Sequence, residues 1–166
     1  MVQQAITDDD EDMLMEAIEV IEEAITISKP LINEHMEDVV QMALHLTQNS
    51  NLEASTRNMG AMLLTTVIES RPKLLGKKGL VEPILSAMME SLVQLDPAVG
   101  RGLFNIGGAQ TNGVLEEEDE EIEEDDGVIL AKIPQYILDS MAMNISSKYF
   151  VEPALQICGQ YMMTES

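Results

Sequence analysis

The chain has no tryptophan, one cysteine and few aromatic residues, and each scarcity narrows the choice of fold. Aromatic residues make up 3% of the chain, whereas 13 methionines supply flexible apolar bulk. Unbranched side chains lose little rotamer freedom in a helix, so this composition favours helix-on-helix packing over a β-sandwich. Cys158 has no second cysteine to pair with. An internal disulfide is therefore excluded, which is typical of a reducing compartment.

Basic residues are scarce as well. The chain carries 9 lysines and arginines against 30 acids, a formal net charge of −21. Half of the acids lie in two runs, Asp8–Asp12 and Glu116–Asp126, and 15 acids remain outside them. Most of the excess charge is therefore local. A chain of this charge repels a phosphate backbone, so we expect no direct binding of nucleic acid.

Long apolar runs are also missing. The longest of them falls far short of the roughly 20 residues that a membrane-spanning helix needs, so we expect no membrane partner. The acids of Asp8–Asp12 interrupt the N-terminus before the apolar core of a signal peptide could form. These features predict a soluble intracellular chain.

The chain does contain helical periodicity, because apolar residues recur every three or four positions in six segments. Pro30 and Pro72 each follow one of these segments, 42 residues apart, and a proline disfavours helical geometry in the residue before it. On the fourth segment the pattern predicts that Met88 and Leu92 are buried. On the last segment it predicts a buried stripe of Val151, Leu155, Cys158 and Met162.

Two stretches of the chain are nearly alike: Leu80–Leu85 reads LVEPIL and Phe150–Leu155 reads FVEPAL. No single helix pair can bury its own apolar stripe, whereas stacked pairs form a continuous core. The sequence therefore predicts an all-α fold, an α-solenoid of about three antiparallel helix pairs. The predicted organisation is the end of a preceding helix at 1–7, repeats at 8–50, 51–96 and 128–166, and an insert at 97–127.

The insert is glycine-rich in its first half and acidic in its second. Dense like charges repel one another and cannot bury apolar surface, so we expect disorder there. Because helical periodicity resumes beyond the insert, Pro134 leaves two alternatives: the next helix begins near Ile133, or it is kinked there. The acidic run contains Glu116, Glu117, Glu118, Asp119, Glu120, Glu121, Glu123, Glu124, Asp125 and Asp126.

No residue pattern predicts catalysis, a cofactor or a metal site. Asp8, Asp10 and Asp12 have the spacing of the first ligands of a calcium-binding loop, and Glu19 has the spacing of the last. Met13, however, takes the position where that loop needs glycine, and the following residues have helical periodicity. A solvated helix start is the better interpretation. We therefore expect a binding protein and not an enzyme.

The order of these elements resembles the importin-beta (karyopherin-beta) superfamily of nuclear transport receptors, and within it the importin-4-like branch. The resemblance rests on the acid-headed helix Asp8–Ser28, the Pro30-Leu31-Ile32 turn, the Pro72–Leu75 segment and the helix Val81–Leu95. It extends through the acidic insert to the last helix. It implies an array of HEAT repeats of which this chain is a central piece.

The resemblance also implies a function. Members of this family carry protein cargo through the nuclear pore, so it implies basic cargo such as ribosomal proteins or histones. It further implies contacts with nuclear pore proteins, a Ran-type GTPase that binds this segment weakly, and shuttling between cytoplasm and nucleus. The acidic insert would contact cargo or Ran. The second helix of each repeat would line a concave face, where the candidate contacts are Glu34, Glu37, Asp38, Glu82, Glu90 and Glu152.

Two alternatives remain open at this stage. One is a HEAT-repeat scaffold outside transport, for example a regulatory subunit that holds an enzyme. The other is a free-standing acidic chaperone for histones or ribosomal proteins.

Overall fold

The structure is a computed structural model that describes residues 11–94 and 126–164. Over these ranges it contains seven α-helices and no strand, which confirms the predicted all-α fold class. The predicted helix at 1–7, and all but the last two residues of the predicted disordered insert, lie outside the described residues. The helices are α1 Glu11–Ile27, α2 Lys29–Gln48, α3 Ala54–Ser70, α4 Pro72–Lys78, α5 Val81–Gln94, α6 Asp126–Asn144 and α7 Ser147–Thr164.

Six of these helices form two layers. In the first layer α3 lies between α1 and α6, and in the second layer α5 lies between α2 and α7. The layers are joined because α3 also packs on α2, and α6 also packs on α5. The first helices of successive pairs thus stack on one another, and so do the second helices. This is the arrangement of an α-solenoid.

The core lies between the layers, and α3 is at its centre. Leu63, Leu64, Val67 and Ile68 of α3 are all fully buried, as the periodicity predicts. The buried face of α1 is also the predicted one, since Leu14, Ala17, Ile18 and Ile25 are buried while Ile21 and Ala24 are half-buried. None of the helices in residues 11–94 and 126–164 is both long and apolar enough to cross a membrane.

Two arginines fix the ends of the first two helices. Arg57 Nε donates a hydrogen bond to the carbonyl oxygen of Thr47 at 3.1 Å, at the end of α2. Arg71 Nη2 donates to the carbonyl oxygen of Ile25, at the end of α1. The last carbonyl groups of a helix have no partner inside it, so basic side chains that reach them stabilise the helix end. Both arginines therefore tie consecutive helix pairs together.

The short helix α4 is a feature that the sequence analysis missed. The Gly-Lys-Lys-Gly stretch at 76–79 has the composition of a turn, but Gly76 lies inside α4, and of the two glycines only Gly79 has a left-handed backbone, with φ of 70°. The N–H of Leu80 donates to the carbonyl oxygen of Leu75 at 3.0 Å, which closes the helix end. The left-handed conformation of Gly79 alone ends the helix, and Gly76 keeps a helical backbone.

Gly79→Ala should lower the free energy of unfolding by about 1–2 kcal/mol, because an L-residue with a Cβ is strained in the left-handed conformation. Urea denaturation followed by circular dichroism measures the change. Gly79→Asn is the matched control and should lose less, because asparagine tolerates this conformation. An equal loss for both variants would show that backbone strain is not the cause.

The predicted stripe of α7 is wrong at the three positions whose side chains the structure describes, and the side chain of the fourth, Met162, lies outside them. Val151, Leu155 and Cys158 are exposed, whereas Ile157 is buried with Ala154 packed beside it. Both stripes have helical spacing, so periodicity alone cannot choose between them. The choice is made by α5, which packs closely on α7 while α6 touches it little.

Two smaller predictions concerned Pro134 and Leu92. Helix α6 begins at Asp126 and contains Pro134, so the alternative of a start near Ile133 is wrong. The predicted insert boundary at 127 falls two residues inside this helix. On α5, Met88 is fully buried as predicted, but Leu92 is only half-buried. Leu92 lies in the last turn of α5, where fewer neighbours cover it.

Candidate protein-interaction surface

The second layer, α2, α5 and α7, carries all six acids proposed as surface contacts. Their side chains are exposed, on the sides of these helices that face away from the buried stripes. We call this set the acidic face: Glu34, Glu37, Asp38, Glu82, Glu90 and Glu152. The structure thus brings together on one layer acids that are up to 118 residues apart in the chain.

On α2 the three acids differ in their availability. Glu37 Oε1 lies 3.4 Å from Lys78 Nζ of α4, so its charge is partly neutralised by an ion pair within the chain. Asp38 Oδ2 lies 3.3 Å from Nδ1 of His35, three residues earlier on the same helix. No ion pair in the described part of the chain involves Glu34. Of these three, Glu34 is the carboxylate most available to an external cation.

On α5 the two acids lie at opposite ends of the helix. Glu82 is in the first turn, where a negative charge is favoured by the helix dipole. Glu90 Oε1 accepts a hydrogen bond of 3.2 Å from Gln94 Nε2, one turn further on. Helix α5 is tied to α2 by Gln48 Nε2, which donates to the carbonyl oxygen of Ala87 at 3.3 Å. This bond joins the end of α2 to the middle of α5.

Glu82 and Glu152, the equivalent positions of the two Val-Glu-Pro stretches, line one surface cleft of about 290 Å³. We call it the α5–α7 cleft. Its lining combines the two carboxylates with an amine, an aromatic ring and apolar side chains: Val81, Glu82, Lys148, Tyr149, Glu152 and Pro153. The ring of Tyr149 also packs on Gly76 of α4, where it occupies the space that a Cβ would need.

The structure does not describe most of the candidate residues of the acidic insert. Glu116 to Asp125 lie outside the described residues, and Asp126 is the first residue of α6. Their proposed contact with cargo or Ran therefore stays a prediction.

A second group of acids was not proposed as a surface contact from the sequence. Asp12, Glu16, Glu19 and Glu23 are exposed on α1, opposite its buried stripe. Their spacing of three and four residues was the available signal, since it places all four on one side of a helix. Asp12 and Glu19 thus belong to a regular helix, which rules out the calcium-binding loop there. The first layer has an acidic stripe of its own, on a different helix from any of the acidic face.

A second cleft, of about 220 Å³, lies between α3 and α6 in the first layer. Its lining is mostly apolar and includes Ala61, Met62, Ile133 and Tyr136. Such a lining favours an apolar side chain as occupant. The sequence analysis missed it because the cleft forms only where two helices from separate pairs meet.

Residues that could hold a metal ion are not gathered in the described ranges, where no group of three or more histidines, cysteines or acids has a suitable arrangement. The two clefts are lined by side chains that bind by charge, hydrogen bonding or apolar contact. Both clefts are open to solvent and lie on the surface of the described helices.

Comparison with known proteins adds one relative, and no family model matches the chain. The chain is 26% identical to Importin-4 of Mus musculus over 142 residues. The aligned part covers 82% of this chain but 12% of the relative, so the chain spans only a small part of that protein's length. Similarity over most of the chain, together with the two stacked layers of helices, indicates a relationship to the importin-beta superfamily.

Proposed function

We propose that this chain is a segment of a nuclear transport receptor that binds basic protein cargo through its acidic face. The observation that carries the proposal is the grouping of six exposed acids on the second layer, several of them without a cationic partner. The likeness to Importin-4 supplies the transport context. The chain would act by binding alone and would catalyse no reaction.

The physical basis is the sum of many weak contacts. An exposed ion pair contributes only about 0–1 kcal/mol, so useful affinity requires several carboxylates in fixed positions. The second layer offers this because its helices are packed against one another, and a hydrogen bond from Gln48 also joins α2 to α5. A basic segment that lies across α2, α5 and α7 would meet Glu34, Glu82 and Glu152 in turn.

The acidic insert extends the same proposal. Tethered beside the scaffold, the carboxylates at 116–125 would raise the local concentration of negative charge around any docked basic protein. Further elements of the proposal are nuclear pore proteins and a Ran-type GTPase as partners and shuttling between cytoplasm and nucleus. We also propose that the chain is divided into HEAT repeats at 8–50, 51–96 and 128–166.

Neutralising the acidic face should weaken the binding of a lysine- and arginine-rich histone-tail peptide by about tenfold or more at low salt. The test variant replaces Glu34, Glu82, Glu90 and Glu152 with glutamine, because Glu37 and Asp38 already have partners. Fluorescence anisotropy with the 166-residue chain measures the affinity. Binding should also fall steeply with salt, because the Debye length shrinks from about 10 Å at 0.1 M to about 3 Å at 1 M.

The matched control removes the same number of charges from α1 by replacing Asp12 with asparagine and Glu16, Glu19 and Glu23 with glutamine. It should weaken binding by no more than about threefold, since those acids act only through the overall field. Equal losses for the two variants would mean that net charge, and not the acidic face, determines binding. No binding to the unmodified chain at low salt would refute the proposed function.

The contribution of the insert is tested separately by deleting residues 116–125, which leaves Asp126 to begin α6. The deletion should reduce both the affinity for the peptide and its dependence on salt. Unchanged affinity and salt dependence would identify the insert as a linker.

A further inference from the structure

We propose that the α5–α7 cleft is a subsite for a single lysine or arginine side chain of a basic protein segment. This inference rests on the proposed function, because it assigns a specific place on the acidic face to one residue of the bound segment. In this cleft two carboxylates of the acidic face line a common cavity.

The size of the cleft limits its occupant. Its volume of about 290 Å³ is just below the roughly 300–1,000 Å³ that pockets for drug-sized ligands occupy. The cleft is open and follows the junction between α7 and the start of α5. One extended side chain fits this space, whereas a folded element does not.

The lining matches the two parts of a long cationic side chain. Val81, Tyr149 and Pro153 offer apolar contact for the aliphatic stem, which lysine and arginine bury along apolar surface while keeping the charge near water. Glu82 and Glu152 offer the carboxylates for the charged end. In the described part of the chain neither glutamate has an ion pair, so both charges remain available.

One cation of the chain itself already lies in this cleft. Lys148 Nζ lies 4.4 Å from the centre of the Tyr149 ring, the arrangement of a cation–π contact. An incoming ammonium or guanidinium group would take the place of Lys148 over that ring. Lys148 is exposed, so it can swing into solvent when the ligand enters.

The test compares two variants with the same change in charge on the same layer. Glu82→Gln with Glu152→Gln alters the cleft, whereas Glu34→Gln with Glu90→Gln alters the acidic face outside it. With the histone-tail peptide at low salt, the cleft variant should lose about tenfold in affinity, because contacts in a partly enclosed site are less screened. The other variant should lose about two- to threefold, as expected for exposed pairs.

Two further measurements report on the cleft directly. Ring signals of Tyr149 in NMR spectra should shift when the peptide is added, while those of Tyr136 on the first layer should not. Lys148→Gln should raise affinity by about threefold by removing the competing cation, and Lys132→Gln on α6 is the control for the change in net charge.

Equal losses for the two double variants, or an unchanged Tyr149 signal while the peptide binds, would overturn the subsite and leave the proposed function intact. Failure of the unmodified chain to bind the peptide at low salt would overturn both. Circular dichroism of each variant checks that the fold is retained, which we expect because all the replaced side chains are exposed.

Discussion

Met88→Ala should lower the free energy of unfolding by about 2–5 kcal/mol, the range measured when a fully buried large side chain is truncated. Met88 is completely buried on α5, which packs on both α6 and α7. Truncation removes apolar contacts inside the core and leaves a cavity there. Urea denaturation followed by circular dichroism gives the change in free energy.

The control for this prediction is the same substitution at the surface. Met143 on α6 is 85% exposed, so Met143→Ala should change stability by no more than about 0.5 kcal/mol. Leu92→Ala should fall between the two because Leu92 is half-buried. A neutral result at Met88 would show that α5 packs in another register.

Gly60→Ala should destabilise the protein by about 1–3 kcal/mol, although the same change in an open helix stabilises by about 1 kcal/mol. Gly60 lies on the buried face of α3, where it touches α2. A Cβ there would come within 2.6 Å of the Cβ of Leu46 and 2.9 Å of the carbonyl oxygen of Ala43. Backbone atoms and a Cβ cannot turn aside as a flexible side chain can, so the two helices would have to move apart.

Gly159 provides a control of opposite sign. It lies on α7, and no heavy atom would come within 4 Å of a Cβ added there. Gly159→Ala should therefore stabilise the protein by about 0.5–1 kcal/mol through helix propensity alone. Thermal and urea unfolding of both variants measures the two changes in the free energy of unfolding. Stabilisation by Gly60→Ala would contradict the close packing of α2 and α3.

The first half of the chain was largely predictable from its sequence. Helices α1 and α2 each carry an apolar stripe with polar residues opposite, so periodicity identifies their buried sides. The apolar arc of α3 is wider, as expected for the helix at the centre of the core. Pro30 and Pro72 mark the ends of α1 and α3. Exposure of Glu34 and Glu82 followed from the same pattern. These features depend on residues within a few turns of one another.

The second half was less predictable because its sequence is compatible with more than one choice of buried residues. Helix α7 carries apolar residues on two adjacent sides, and only the position of α5 decides that Ile157 is buried and Leu155 is exposed. Helix α4 was missed because its two glycines have different roles that the sequence does not distinguish. The closure at Gly79 shows that the second glycine alone ends the helix.

The sequence by itself determined the helical class, the absence of a second cysteine and the local excess of acid, because each depends on composition or on nearest neighbours along the chain. Only the tertiary structure decided that Glu82 and Glu152 share a cleft with Tyr149, and that Glu37 is paired with Lys78 while Glu34 is not. The repeated Val-Glu-Pro stretches carry no information about the distance between them. That distance is decided by the packing of α5 on α7, which involves residues about 70 positions apart in the chain.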